Sequence, residues 1–88
     1  MRFRTRNQGC AAALLYTLGS AAHLGTERDH SGARFAFDDA DGRCASIADR
    51  YFSGQLEVED GRSLIEAFLA IRRTMTAAFN SGEWRNEL

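Results

Sequence analysis

The stretch Tyr51–Met75, YFSGQLEVEDGRSLIEAFLAIRRTM, decides how this chain is read, because it holds a helix end, a short link and the start of the longest amphipathic helix. Ser53-Gly54 stops the first of these helices, since glycine accepts the left-handed backbone needed at a helix C-terminus. Leu56 and Val58 alternate with Gln55, Glu57 and Glu59, the period-two pattern of a half-buried extended segment. Asp60 is placed to cap the next helix, and Ser63 with Glu66 offers a second cap at capping-box spacing. Beyond it, Leu64, Phe68, Ile71, Met75 and Ala78 recur at helical spacing, and Ile65, Leu69 and Phe79 widen the stripe. The pattern defines a core rather than a chemistry.

Upstream, residues 42–52 place Cys44, Ile47, Ala48, Tyr51 and Phe52 on one face of a helix. Before it stands Asp38-Asp39-Ala40-Asp41-Gly42. Three carboxylates near a glycine suggest calcium, but the EF-hand pattern of glycine and distal glutamate is missing. The chain also has no lysine of the kind a two-metal nuclease uses. The run reads as a solvated turn in which Asp39 or Asp41 caps the following helix. No metal and no cofactor are expected.

Residues 22–38 read as a β-hairpin turning at Asp29-His30-Ser31-Gly32. Two registers compete. In the first, Leu24 faces Phe37 and Thr26 faces Phe35, while Glu27 meets Arg34 and His23 meets Asp38 on the other side. A glycine-bulge turn would instead set Leu24 against Asp38 and Arg28 against Arg34. The first separates apolar from charged and pairs opposite signs, so it is preferred. Phe35, Phe37, Phe52, Phe68 and Ile71 are expected to share one core.

At the N-terminus, residues 2–5 either form a short strand or stay a loose arm. Asn7 is a good N-cap for a helix to about Leu18, with Gly19 past its end. Ala11, Leu14, Leu15 and Leu18 make its buried stripe, with Cys10 at the border. The helix has no charged face, which hints at self-association or a partner surface. Arg2, Arg4 and Arg6 before an apolar run resemble a signal peptide superficially, but Tyr16 and Thr17 interrupt the run and the small domain needs it for its core. No run approaches the ~20 apolar residues that span a bilayer. Cys10 and Cys44 lack close-spaced partners and fit buried thiols in a reducing cytosol. A cytoplasmic protein without membrane contact is the expectation.

Charge is distributed unevenly: residues 27–60 carry nine acids against four arginines, whereas residues 1–6 carry three arginines and no acid. All eleven basic residues are arginine, which a coding bias explains more simply than a demand for forked contacts to phosphate. Catalytic constellations are absent from the pattern. His23 and His30 are the only histidines, and both cysteines fall on buried stripes where a thiol is inert. No glycine-rich phosphate loop, HExxH or GxSxG occurs, and a domain this small has little room for a ligand pocket. A non-enzyme is expected.

The succession of a helix, Leu24-Gly-Thr-Glu-Arg-Asp29, Arg34-Phe-Ala-Phe-Asp-Asp39, a helix ending Tyr51-Phe-Ser-Gly54, then Leu56-Glu-Val-Glu-Asp60 and a last helix resembles a small prokaryotic and viral family known as a domain of unknown function. The likeness spans about residues 5–75, most specifically Phe35-Ala-Phe37-Asp38 and Tyr51-Phe-Ser-Gly54-x-Leu56-x-Val58. The family often has a proline where this chain has Gly61, and an acid where it has Asn7. The resemblance implies a small accessory protein, often of phage or mobile elements, and assigns no catalytic residue.

The sequence thus predicts a single α+β domain over residues 1–80, ordered helix, β-hairpin, helix, short extended segment and long C-terminal helix, with a polar tail at 81–88. The expected function is a non-enzymatic protein-interaction module, an accessory protein that binds or inhibits a host or defence protein. Nucleic-acid binding through the N-terminal arginines is the alternative, disfavoured by a pI near 6.1 and by the lack of a recognised nucleic-acid-binding motif. A homodimeric structural module is the third reading. Candidate partner contacts are Arg2, Arg4, Arg6, Asp38, Asp39, Asp41, Arg72, Arg73 and Trp84.

Overall fold

Asn7 begins the first helix: its side-chain oxygen accepts the Cys10 amide at 2.8 Å, satisfying a donor that the first turn would leave open. The computed structural model describes residues 1–80; the expected polar tail at 81–88, with Trp84, lies outside the described residues. Helix α1 runs Gln8–Leu18. Five consecutive residues of it, Cys10 to Leu14, are buried. Successive helical side chains point about 100° apart, so five in a row under cover means that this part of the helix is enclosed all round. Alanine at 11, 12 and 13 lets its neighbours come close. Those neighbours belong to the same chain, chiefly helices α3 (Gly61–Phe79) and α2 (Arg43–Phe52), with the sheet beneath. The enclosed part of the uncharged helix is therefore covered by its own fold.

Among the described residues the sheet has three strands, β1 (Arg2–Thr5), β2 (His23–Asp29) and β3 (Gly32–Asp38), in the order β1-β3-β2. Residues 2–5 are thus a strand, an element added in front of the expected order. Both neighbours run antiparallel to β3, so β1 and β2 are parallel to each other with β3 between them, a split β-α-β unit. The ladder places Phe3 opposite Phe37 and Thr5 opposite Phe35. Alternation along β3 sends Phe35 and Phe37 into the core with Leu14, Ile47 and Ile71.

The preferred hairpin register holds from Asp29↔Gly32 through Glu27↔Arg34 and Thr26↔Phe35 to Gly25↔Ala36. It then shifts. His23 rather than Leu24 pairs with Phe37, their rings 5.1 Å apart, and Leu24 is 50% exposed. The expected pairs Leu24–Phe37 and His23–Asp38 are both overturned. Gly25, at φ 139°, adopts a backbone that side chains rarely tolerate, and this permits the bulge that turns Leu24 outward.

Asp60 caps α3 as expected, accepting from the Arg62 and Ser63 amides. Among the described residues the link before it pairs with no strand. Its end is held by Tyr16 of α1, whose hydroxyl oxygen accepts the Glu59 and Asp60 amides at 3.1 and 3.2 Å. Leu56 packs against the core, while Val58 is exposed. The period-two pattern here reflects a surface-following link rather than a sheet edge. Among the described residues no helix is long and apolar enough to cross a membrane.

The core is smaller than the amphipathic stripes suggest. Phe35, Phe37 and Ile71 are fully buried, but Phe52 is 62% exposed and Phe68 only half-buried. On α3 the buried residues are Ala67 and Ile71; Ile65 and Leu69, expected to widen the buried stripe, point outward. Truncation should separate the two groups. Ile71→Ala is expected to lower unfolding stability by ~2–5 kcal/mol through transfer and cavity terms, and Phe52→Ala by less than ~1 kcal/mol. Denaturant midpoints at constant m-value measure both.

Candidate interaction surfaces

Beyond the core the chain presents two distinct faces, a charged one on the sheet and an apolar one on the helices. On β1, Phe3 and Thr5 face the helices, so Arg2 and Arg4 emerge on the opposite side, where Arg34 and Asp38 of β3 and Glu27 of β2 also lie. Ala36 sits at the middle of this face, between Arg4 and Gly25. Because neither Ala36 nor Gly25 has a long side chain, Arg4 reaches across the central strand and its Nε donates to Glu27 Oε1 at 2.8 Å. Arg2 lies 3.6 Å and Arg34 3.9 Å from the same carboxylate. Just past the end of β1, Arg6 makes a forked contact to Asp29, Nη1 and Nη2 donating to Oδ1 and Oδ2 at 3.2 and 2.8 Å. Arg34 adds a 3.3 Å contact to Asp29. The layer of guanidinium stems leaves Ala36 only 2% exposed.

The carboxylates respond to this setting. The Arg6 hydrogen bond, with help from the Ser31 amide, holds Asp29 down at about 2, and Arg4 lowers Glu27 in the same sense. The Arg6 guanidinium is raised in turn by Asp29. Arg2, Arg4 and Arg6 are therefore a strand and its continuation tied to the fold's own acids rather than a loose arm. That tie cuts the counterion release they could supply to a phosphate backbone.

The acidic run at 38–41 divides. Asp38 is exposed at the end of β3, next to Arg2 in the ladder. Asp39 is buried and accepts the Cys44 amide at 3.0 Å. Asp41 accepts the Arg43 amide at 3.3 Å and its Nε at 2.9 Å, which lowers its pKa. The residue at the helix boundary is Gly42; both aspartates serve the first α2 amides from outside it. No group of three His, Cys, Asp or Glu among the described residues is placed to hold a metal ion. Burial, followed by the Asp39 charge, pushes the Cys44 thiol up to about 11, and burial raises Cys10 as well. Both are poor nucleophiles in that state. His30 lies in the hairpin turn, and His23, lowered by burial, stacks on Phe37.

The second face was not legible as a site in the sequence. Leu69 is two residues from Ile71 and Ile65 two from Ala67, about 200° round the helix in each case. The long helix is therefore apolar on its outer side as well as its buried one. Ile65 and Leu69 are 62% and 48% exposed. Ile65 also borders an apolar cleft of about 290 Å³, shared with Gly9, Ala12, Tyr51, Leu64 and Phe68. Tyr51 forms the far wall, its hydroxyl resting so close to Gly9 that a Cβ there would overlap it. The exposed Phe52 ring meets Tyr51 edge-on at 5.1 Å. Phe52, Tyr51, the cleft, Phe68, Ile65 and Leu69 thus form one continuous patch, of the kind that marks an interaction surface. Arg72 and Arg73 flank it on α3, exposed and without an ion-pair partner among the described residues.

Comparison with protein families, with curated proteins and with solved structures gives no match to this chain.

The charged face makes an acid-limb prediction. Asp29 titrates near 3.8 in the unfolded chain and at about 2 in the fold, so the unfolded state binds more protons between these values. The pair's stabilisation is complete above the unfolded pKa and is lost as pH falls from ~4 through ~2. Melting temperature should drop over this window in the wild type, and the drop should shrink in Arg6→Gln and in Asp29→Asn.

Proposed function

We propose that this chain is a non-enzymatic protein-interaction module that docks through the apolar helix face. One observation carries the reading: the patch from Phe52 to Leu69 is exposed although the chain has few large apolar residues for its core. An exposed leucine alone would need no explanation. Three large apolar side chains at 48–62% exposure, contiguous with a 290 Å³ apolar cleft, do. Aromatic and aliphatic anchors over a cleft, rimmed by arginine, have the composition of an interface centre.

The sheet face supports the same ranking by default. Its arginines are engaged by Glu27 and Asp29, so a nucleic acid would have to compete with ion pairs already formed. In the phage or mobile-element setting implied by the family resemblance, the partner would be a host or defence protein.

Two variants divide the alternatives. Ile65→Glu with Leu69→Glu alters exposed positions, so it should keep the wild-type denaturation midpoint within ~1 kcal/mol and lose capture of protein partners from a host lysate. Replacing Arg2, Arg4 and Arg6 by alanine should leave capture intact. In anisotropy titrations at physiological salt neither protein should bind duplex DNA, single-stranded DNA or RNA tightly. Submicromolar binding abolished by the arginine triple variant would put nucleic acid first.

A further inference from the structure

We infer that the apolar helix face takes an acidic, amphipathic protein segment lying along α3, with one large apolar side chain in the cleft and carboxylates on Arg72 and Arg73. The inference rests on the docking reading above and names the chemistry of the partner.

Charge selects this occupant. Helix α3 carries three arginines, Arg62, Arg72 and Arg73, against one acid, Glu66, on a chain whose formal net charge is −1. Arg62 and Glu66 approach to 4.0 Å and offset each other. Arg72 and Arg73 are left exposed, with no ion-pair partner among the described residues. The sheet face differs in this respect, since Arg2, Arg4, Arg6 and Arg34 there all contact Glu27 or Asp29. Two uncompensated guanidinium groups beside apolar surface favour a partner that brings carboxylates, which they can bind through forked hydrogen bonds. A basic partner, or a second copy of the same face, would be repelled.

Shape sets the spacing. Two depressions lie along α3. The apolar cleft of about 290 Å³ is walled by Gly9 and Ala12 of α1, Tyr51 of α2, and Leu64, Ile65 and Phe68 of α3. An open trough follows toward the C-terminus, lined by Leu69, Arg72, Arg73, Thr76 and Ala77. Ile65 in the first and Arg72 in the second are seven residues apart, so they fall within ~20° of each other around the helix and ~10 Å apart along it. A partner that anchors an apolar side chain in the cleft therefore meets the guanidinium pair ~10 Å further on, the rise of two turns of a helix or three residues of a strand. Apolar anchors supply the affinity in such a groove and charge sets direction. An anionic bilayer matches the charge but not the shape. A recessed cleft walled by three helices suits one inserted side chain, whereas an interfacial helix presents a projecting apolar stripe to lipid.

The test displays random peptides of about fifteen residues, long enough as a helix to span both depressions, to the immobilised full chain. Selected sequences should combine a large apolar residue with acids at one of the two spacings above. A fluorescein-labelled synthetic copy should bind in anisotropy titrations, with an affinity that falls as salt rises. Arg72→Glu with Arg73→Glu should weaken that peptide about tenfold or more while keeping the denaturation midpoint. A peptide with its acids replaced by lysine should regain binding to this variant, an exchange that misfolding cannot imitate. Glu66→Gln removes the one acid of α3 and should tighten the wild-type complex. A library that yields no binder, binders that lack acids, or a charge exchange that fails overturns the inference. Binding to phosphatidylserine–phosphatidylcholine vesicles that is lost in the arginine variant, with no peptide selected, would assign the face to lipid instead. If no acidic peptide is selected but Ile65→Glu with Leu69→Glu still abolishes lysate capture, the docking face stands and the acidic partner is excluded.

Discussion

The fold depends on enclosing residues Cys10 to Leu14 of an eleven-residue helix that has no charge of its own. A helix buried on one stripe can end a domain; one covered all round must lie within it. Alanines at 11, 12 and 13 make the enclosure possible, because they let β3, α2 and α3 approach without large side chains between them. Volume is supplied from the partners' side, by Phe35 and Phe37 from the sheet, Ile47 from α2 and Ile71 from α3. Gly9 continues the same logic one residue earlier, where the approaching group is the Tyr51 ring. Close approach is thus concentrated on α1, and most of the large apolar groups stand opposite it.

That arrangement explains which predicted apolar residues were left out. Burying α1 from several sides uses a narrow strip of each neighbour, so α3 contributes mainly Ala67 and Ile71, and α2 Cys44, Ile47 and Ala48. Phe52, Ile65 and Leu69 satisfy the helical periodicity yet face away, because periodicity reports that a helix has an apolar side and not how wide a contact its neighbour offers. The same limit hid Ala67, too small to register as a core residue in a hydrophobic pattern. Element identity was legible because caps and stops are local: Asn7, Gly54 and Asp60 act within a few residues of themselves. The hairpin register was legible as far as Gly25 for a related reason, since a two-residue turn and the Glu27–Arg34 pairing determine it together. Beyond Gly25 it depended on a bulge, which a glycine in a strand permits but does not announce.

The charged sheet face shows where local reading stops and topology begins. Alternation alone places Arg2, Arg4 and Arg6 on one side of a strand. It cannot say that β3 will lie between them and the acids of β2, nor that Ala36 and Gly25 will leave the central lane low enough for arginines to cross it. Given the split β-α-β order, the two acids and four arginines become a lattice of partly exposed contacts, each worth little alone. They gain from sharing carboxylates, since one ordered Glu27 serves Arg4, Arg2 and Arg34. The basic N-terminus and part of the acidic middle, so separate along the chain, are close in space and largely compensate each other.

This compensation gives the two faces of the domain different availability. A partner approaching the sheet must displace guanidinium–carboxylate contacts and restore the exposure of Ala36 before it gains anything. A partner approaching the helices meets apolar surface already open to water, and removing it releases that water at roughly 25 cal/mol per Å² before the costs of association. Charges in and beside the apolar stripe, from Arg62, Arg72, Arg73 and Glu66, would then select orientation in the proposed docking mode. In the proposed docking mode, affinity and orientation would fall to different residues of one helix, while the sheet is neutralised from within.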